Sequence, residues 1–185
     1  DHHEINKPYP VSNVIINPKK NINHNEESYL CATSLTYFFL DYLIKNIGSD
    51  FKINNYLIFV LLATVCDVMP LRKINKIIAS NVIKKFKIND NAVFKFIFEQ
   101  LSLNKKLSID DLGFLIGPII NSGGRLGFSN YGVELLTTNN LKLIKKRSIE
   151  LIKLNEKRKL LEQNILEQID YEKINKNNNK VIIYY

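Results

Sequence analysis

From Leu141 to about Ile174 the chain carries one uninterrupted helical pattern. Ile144, Leu151, Leu154, Leu161, Ile165 and Ile169 recur at spacings of seven, three and four, which puts them on one stripe of an α-helix. Asn139-Asn140 stands before the first turn as a capping pair. At ~1.5 Å per residue such a helix is roughly 50 Å long. A helix of that length either packs along its own domain or leads out of it. The polar stretch 175–180 reads as a turn and the apolar run Val181–Tyr185 as the opening of a strand. The pattern therefore predicts a connector over 139–175, a domain before it over 1–138, and the start of a second domain over 176–185.

Shorter elements precede the connector. Residues 29–47 have helical character, with Leu30, Leu35, Phe38, Phe39, Tyr42 and Leu43 on one broad face and Gly48 as the stop. Residues 56–68 are apolar almost all round and end at Pro70, which predicts a fully buried helix. Two amphipathic helices are expected over 76–86 and 92–101. Ser108, with Asp110 and Asp111 in the first turn, opens a helix to about Ile116. Gly117-Pro118 ends or kinks it, Asn121 to Gly127 reads as a glycine-rich turn, and a short helix comes next around 131–136. Val14-Ile15-Ile16 before Asn17-Pro18 reads as a short buried strand.

Composition excludes several classes. Hydrophobic residues make up 45% and charged residues 24%, a globular balance. The apolar run 56–66 is far short of the ~20 residues of a membrane-spanning helix. Cys31 and Cys66 stand alone, without the spacing of a disulfide framework or a zinc ribbon, and a reducing, cytoplasmic setting is the simplest reading. The single methionine is Met69 and the first residue is Asp1, so the chain is expected to be a piece of a longer protein. Twenty-six Lys and Arg against eighteen Asp and Glu leave a net charge of +8. Two readings of that excess stay open: a polyanionic partner such as nucleic acid, or an AT-rich coding bias that enriches Lys, Asn and Ile together.

Four places could carry chemistry. Asp1-His2-His3 offers a carboxylate and two imidazoles at one point, a donor set suited to Mn, Zn, Fe or Co. The carboxylate could instead orient an imidazole, or the tripeptide could simply be exposed. Asp67 closes the apolar run, where a carboxylate is costly unless paired, metal-bound or exposed at a helix end. Asn121-Ser122-Gly123-Gly124-Arg125-Leu126-Gly127 joins glycines that let backbone approach a phosphate to a guanidinium that can grip one, although a Gly-Gly turn is often only a turn. Lys142, Lys145, Lys146, Lys153 and Lys157 could track a phosphate backbone, but Glu150 and Glu156 interrupt them, and a solvated face is the simpler reading.

Taken together these motifs resemble a known family. Asp1-His2-His3 is the signature of the DHH phosphoesterase superfamily. The stretch through Val14-Ile15-Ile16-Asn17-Pro18-Lys19 resembles the segment just after that motif in the superfamily's RecJ family of single-strand-specific exonucleases. Ala63 to Leu71 resembles that family's T-V-A-D-V-V-P-L motif. Gly113 to Pro118 leading into Asn121 to Gly127 resembles G-F-x-I-G-P-x-x-N-A-x-G-R-x-G, and Leu154-Asn155-Glu156-Lys157-Arg158 resembles L-N-x-x-R. Four separated motifs in the right order span nearly the whole chain.

The resemblance implies a nuclease that removes nucleotides from the 5′ end of single-stranded DNA with Mn²⁺ or Mg²⁺, in DNA repair and recombination. It implies His2 and Asp67 as metal ligands, His3 near the scissile phosphate, and Asp1 supporting the imidazoles. Arg125 would contact the DNA near the cleaved end, with Asn121 and Gly124 shaping that loop. The fold it implies is α/β: the mostly helical later part of a DHH domain with a parallel sheet, then the connecting helix and the first strand of a second domain. A monomer is expected, with no membrane association, and with a single-strand-binding protein or a helicase as partner proteins. The family's further aspartate motifs lie before its D-H-H tripeptide, so residues 1–185 alone are expected to be inactive. Ser122-Gly123 replaces the usual small pair, and Lys73-Ile74-Asn75-Lys76 stands where the family often has Glu-Asn-Arg.

Two rivals remain. One is a phosphodiesterase of the same superfamily acting on oligoribonucleotides or cyclic dinucleotides, or a pyrophosphatase; the Asp67-Val68-Met69-Pro70-Leu71 context argues against it. The other is a nuclease-derived scaffold without catalysis, against which stand His2, His3 and Asp67.

Overall fold

A computed structural model describes residues 1–20 and 27–168. Eight α-helices succeed one another among them: α1 Ala32–Asn46, α2 Leu57–Cys66, α3 Lys73–Lys85, α4 Ala92–Gln100, α5 Ile109–Asp111, α6 Gly117–Arg125, α7 Asn130–Thr137 and α8 Leu141–Glu167. The caps anticipated from sequence are present. Asn140 Oδ1 accepts the N–H groups of Lys142 and Leu143 at 3.0 and 3.3 Å. Gly48 takes the left-handed conformation after α1 with φ of 65°, which costs a glycine nothing.

The apolar run behaves as its composition predicts. α2 buries Ile58, Val60, Leu61, Leu62 and Thr64 between α1, α3 and the segment after α5. A second layer forms where α4 and α6 meet α8. Phe94, Ile97, Ile119 and Leu151 are almost wholly enclosed there, each contributing about 1.5–3 kcal/mol through burial. Ser122 reaches across this layer, its hydroxyl within 2.9 Å of the Leu151 carbonyl on α8.

Three expectations need correction. The helix opened by Ser108 does not stop at Gly117-Pro118. It passes through a π-helical turn, Leu112–Ile116, and continues as α6 to Arg125. Pro118 lacks an N–H, and its ring would strike the carbonyl four residues back in a regular helix. The wider turn, in which Gly117 N–H donates to Leu112 O, removes that conflict. Asn121 to Arg125 is consequently the last part of a helix and not a glycine-rich turn.

The second correction concerns Val14–Ile16. These residues form no strand, and no strand occurs among the described residues. Val14 is 76% exposed and Ile16 48%, because no neighbouring strand is there to make a ladder. The parallel sheet therefore has no counterpart among the described residues. The third concerns α1. Of its predicted apolar face, Leu30 is buried and Leu35 half-buried, but Phe38, Phe39, Tyr42 and Leu43 are exposed, and within the helix itself Ser34 is the enclosed residue. Cys31 Sγ lies 3.3 Å from Ser34 Oγ and 3.6 Å from Thr64 Oγ1 of α2, so that contact is polar and small.

Helix α8 spans 27 residues, or about 40 Å. Its first half buries Ile144, Ser148, Leu151 and Asn155, while Leu160, Leu161, Ile165 and Leu166 are exposed beyond them. The expected continuation to Ile174, the turn over 175–180 and the strand over 181–185 lie outside the described residues. None of the described helices is long and apolar enough to cross a membrane.

The helix that carries the site is anchored by a buried carboxylate. Ser108 N and Oγ donate to Asp111 Oδ2 at 2.9 and 2.7 Å, and Lys105 Nζ donates to Oδ1 at 2.6 Å. Burial alone would raise the Asp111 pKa, but these hydrogen bonds outweigh it and hold the carboxyl below its ordinary value of 3.8. A folded-state value below the unfolded one means stabilisation that is complete above about pH 4 and lost as pH falls through the folded value. Asp111→Asn should therefore cost about 1 kcal/mol in urea unfolding at pH 7, with the difference from wild type shrinking at pH 3. An equal deficit at both pH values would show that the charge is not what matters.

Candidate metal centre and cleft

The D-H-H tripeptide is strapped to the segment after it. Asp1 N donates to Ile16 O at 3.0 Å, and Asn17 Nδ2 donates to His3 O at 3.0 Å. Asn17 is itself buried. The strap fixes where the two imidazoles emerge.

Each ring then has one nitrogen committed. Asp1 Oδ1 accepts the N–H groups of His2 and His3 at 2.8 and 3.3 Å and sits 2.6 Å from His3 Nδ1. A carboxylate only accepts, so His3 Nδ1 donates this bond, and in the neutral ring Nε2 keeps its lone pair. His2 is held the other way. Its Nδ1 accepts the N–H of Ala32 at 3.1 Å, an otherwise orphan donor in the first turn of α1. Its Nε2 faces Asp67 Oδ2 at 3.7 Å. In the neutral ring that nitrogen bears the proton, and a cation held between it and Asp67 would take the proton's place. The rings of His2 and His3 lie 4.4 Å apart, tilted by 31°.

Asp67 sits at the C-cap of α2, where the chain turns sharply. Val68 N–H bonds to Val65 O at 3.1 Å and Met69 N–H to Thr64 O at 3.0 Å, the Schellman pattern that ends many helices. The left-handed position is filled by Val68, with φ of 54°, and a β-branched residue is strained there. Val68 is 86% exposed, so side-chain burial does not repay that strain. Asn75 steadies the loop from α3, donating to Tyr29 O at 2.8 Å and Pro70 O at 3.1 Å.

Asp67 also opens onto a cleft of about 720 Å³ lined by Thr33, Gly117, Asn121, Arg125 and Arg158 among others. Close packing sets its shape. A Cβ on Gly117 would collide with Cys66 Sγ and lie 2.9 Å from Leu112 O, and one on Gly113 would lie 3.1 Å from Val65 Cγ1. The absence of side chains at 113 and 117 lets α2 approach the helix that carries Asn121 and Arg125. Burial, and then the Asp67 carboxylate beside it, push the Cys66 thiol up, which disfavours its reactive thiolate.

Of the residues singled out from sequence, Asp1, His2, His3 and Asp67 converge at one edge, and Asp67, Asn121 and Arg125 share the cleft. No acid pairs with Arg125 among the described residues. Gly124 does not line the cleft; a Cβ there would lie 3.6 Å from Asn121 Oδ1. Gly123 is used for packing, since a Cβ would meet Phe128 O at 2.5 Å. The lysines of α8 at 142, 145, 146, 153 and 157 are exposed and outside the cleft.

Residues not chosen from sequence also belong here. Arg158 donates to Asn155 Oδ1 at 3.2 Å and Glu162 Oε2 at 2.7 Å while lining the cleft. Its signal was the L-N-x-x-R stretch. The Ala32 N–H and Asn17 left no signal, because one is backbone and the other reads as part of a turn.

A carboxylate-backed imidazole and a second imidazole facing Asp67 thus lie at the edge of a cleft that two guanidinium groups also line. Comparison with known proteins narrows the likeness. No family model matches the chain. Over 176 residues it is 26% identical to the single-stranded-DNA-specific exonuclease RecJ of Haemophilus influenzae and 29% identical to that of Escherichia coli, covering 88% of this chain and 30% of each relative. Among solved structures it matches Thermus thermophilus RecJ in complex with Mn²⁺, with a TM-score of 0.78 and 22% identity over 91% of this chain and 25% of that one. A structure of exonuclease RecJ bound to manganese gives the same TM-score and identity, covering 91% of this chain and 42% of that one. The chain is thus similar to RecJ exonucleases over most of its length, as its motifs indicated, and it spans about 30% of the length of the curated relatives it matches.

Proposed function

We propose that the chain is part of a 5′-to-3′ exonuclease that hydrolyses phosphodiester bonds of single-stranded DNA with Mn²⁺ or Mg²⁺, and that the protein works in the cytoplasm in DNA repair and recombination. The observation that carries this reading is His2 Nε2 facing Asp67 Oδ2 at 3.7 Å beside a cleft bearing Arg125 and Arg158. The donor types fit such a cation: one imidazole nitrogen, a carboxylate oxygen, and Asp1, His2 and His3 ligand atoms within 4.8 Å of one another. His2 and Asp67 would be the metal ligands contributed by this chain. When bound, the ion supplies Lewis-acid stabilisation of charge on the phosphoryl oxygens.

The chain's own side chains divide the remaining work. His3, oriented by Asp1, offers Nε2 to accept or return a proton at the scissile phosphate. Arg125 grips non-bridging oxygens, Asn121 adds a hydrogen bond, and Gly124, beside Asn121 Oδ1, shapes that last turn of the helix. Arg158 extends the positive wall of the cleft.

In a protein of the relatives' length, Val14–Ile16 would be one strand of a parallel sheet, and the exposed face of α1 would be covered by it. The division into a DHH domain over 1–138, a connecting helix over 139–175 and a second domain from 176 belongs to the same proposal. The exposed apolar side chains on the second half of α8 support it.

The test uses the full-length protein with a 5′-phosphorylated single-stranded oligonucleotide. Mn²⁺-dependent release of nucleotides from the 5′ end, abolished by EDTA and absent on a blunt duplex, is the expected result. Preference for oligoribonucleotides, cyclic dinucleotides or pyrophosphate would favour the rival phosphoesterases. No hydrolysis of any of these would favour the scaffold.

A further inference from the structure

The positive charge of the chain is not spread evenly. A second recess of about 680 Å³ lies between the end of α3, the later part of α4 and the loop before α5, and it shares no residue with the cleft beside Asp67. Six lysines line it, Lys84, Lys85, Lys87, Lys95, Lys105 and Lys106, against one acid, Glu99. Lys95 pairs with Glu99 at 3.8 Å and Lys105 with Asp111 at 2.6 Å. Lys84, Lys85, Lys87 and Lys106 have no ion-pair partner among the described residues. The enclosed Phe98 and Leu107 and the half-buried Phe86 also line it.

A coding bias toward lysine would scatter it over the surface. Here Lys84, Lys85 and Lys87 from one stretch of chain and Lys105 and Lys106 from another line the same recess. Like charges so placed repel one another unless an anion lies between them. A recess ringed by ammonium groups, with the half-buried ring of Phe86 beside them, suits a strand held mainly through its backbone charge.

We propose that this lysine groove is a second binding site for single-stranded nucleic acid, separate from the site of hydrolysis. It would hold a stretch of the strand remote from the reacting end. The choice of single-stranded DNA as the polyanion rests on the exonuclease reading; the groove itself does not.

The test measures fluorescence anisotropy of a labelled thymidine 20-mer with the full-length protein in EDTA, so that cleavage plays no part. Lys84→Gln, Lys85→Gln and Lys106→Gln are combined in one variant. Lys142→Gln, Lys145→Gln and Lys157→Gln on the solvated face of α8 form a control with the same change in net charge. The groove variant should bind about tenfold or more weakly, and the slope of log affinity against log salt should flatten by about two, as expected for three lost phosphate contacts on a single strand. The control should change affinity less than twofold. A blunt duplex of the same length should compete poorly.

Equal weakening by both variants would reduce the groove to general charge and overturn the proposal, as would no weakening by the groove variant. Equal competition by the duplex, or by inorganic polyphosphate, would overturn the single-strand assignment. If the groove variant loses affinity while the wild type fails to cut with Mn²⁺, the groove stands and the exonuclease reading falls. Intact cutting with unchanged binding gives the reverse.

Discussion

Asp67→Ala in the full-length protein is expected to lower Mn²⁺-dependent hydrolysis of single-stranded DNA by about 10³-fold or more, while leaving the fold as stable as before. In the proposed role, the loss comes from removing a carboxylate that faces His2 Nε2 at 3.7 Å and would hold the metal: a metal ion contributes several kcal/mol to stabilising the transition state, and each ~1.4 kcal/mol is a factor of ten. The stability half of the expectation comes from position. Asp67 caps the C-terminus of α2, where the helix dipole disfavours a negative charge, and its side chain is 42% exposed. The hydrogen bonds that close the helix run through backbone atoms of Thr64, Val65, Val68 and Met69 and survive the change. Thermal unfolding without metal should therefore show an unchanged or slightly higher midpoint. Activity within tenfold of wild type would remove Asp67 from the metal site. A large drop in midpoint would make its role structural.

Gly117→Ala should destabilise the protein by about 1–3 kcal/mol, the usual cost of forcing a methyl group into packed space. Helix propensity alone predicts the opposite, a gain of about 1 kcal/mol for Gly to Ala inside a helix, so the sign of the change decides between the two. Steric conflict should win because the added Cβ meets Cys66 Sγ and, at 2.9 Å, the Leu112 carbonyl oxygen, a backbone atom engaged in the π turn. The clash also lies where α2 leans on the helix bearing Arg125, so it should move Asp67 away from the opposite wall of the cleft and reduce hydrolysis. Urea unfolding measures the first effect. Combining Gly117→Ala with Cys66→Gly should recover part of the stability, since it removes the sulfur from the collision. A single variant more stable than wild type would show that the two helices do not need this close approach.

Much of the helical layout was legible from residues a few positions apart. Asn140 and Ser108 announced helix starts because a cap is made by a side chain and the N–H groups two or three residues on. The stripe from Ile144 to Leu161 announced α8 because one face of a helix repeats every three or four residues. Which stripe would be covered was not legible. Phe38, Phe39, Tyr42 and Leu43 mark the apolar side of α1, yet the side in contact carries Ser34. Whether Gly117-Pro118 ends the helix or only kinks it stayed open for a related reason. Gly-Pro read locally allows either, and only a π turn, wedged against α2 by two glycines, lets the helix pass.

The candidate site divides along the same line. The sequence by itself determined which chemical groups are available and in what order: an Asp with two imidazoles, an Asp ending an apolar helix, and an Arg after paired glycines, in motifs that resemble one exonuclease family. Side-chain caps at Ser108 and Asn140 also determined where α5 and α8 begin. Only the tertiary structure decided that His2 presents Nε2 to an aspartate far along the chain, Asp67, that Arg158 joins Arg125 in one cleft, and that lysines from separate stretches of chain line the same second recess. The reason is physical. Local hydrogen bonding acts between neighbours in the chain, whereas distances between remote side chains are set by how helices pack, and that depends on small residues such as Gly113 and Gly117 whose effect is visible only against what they touch.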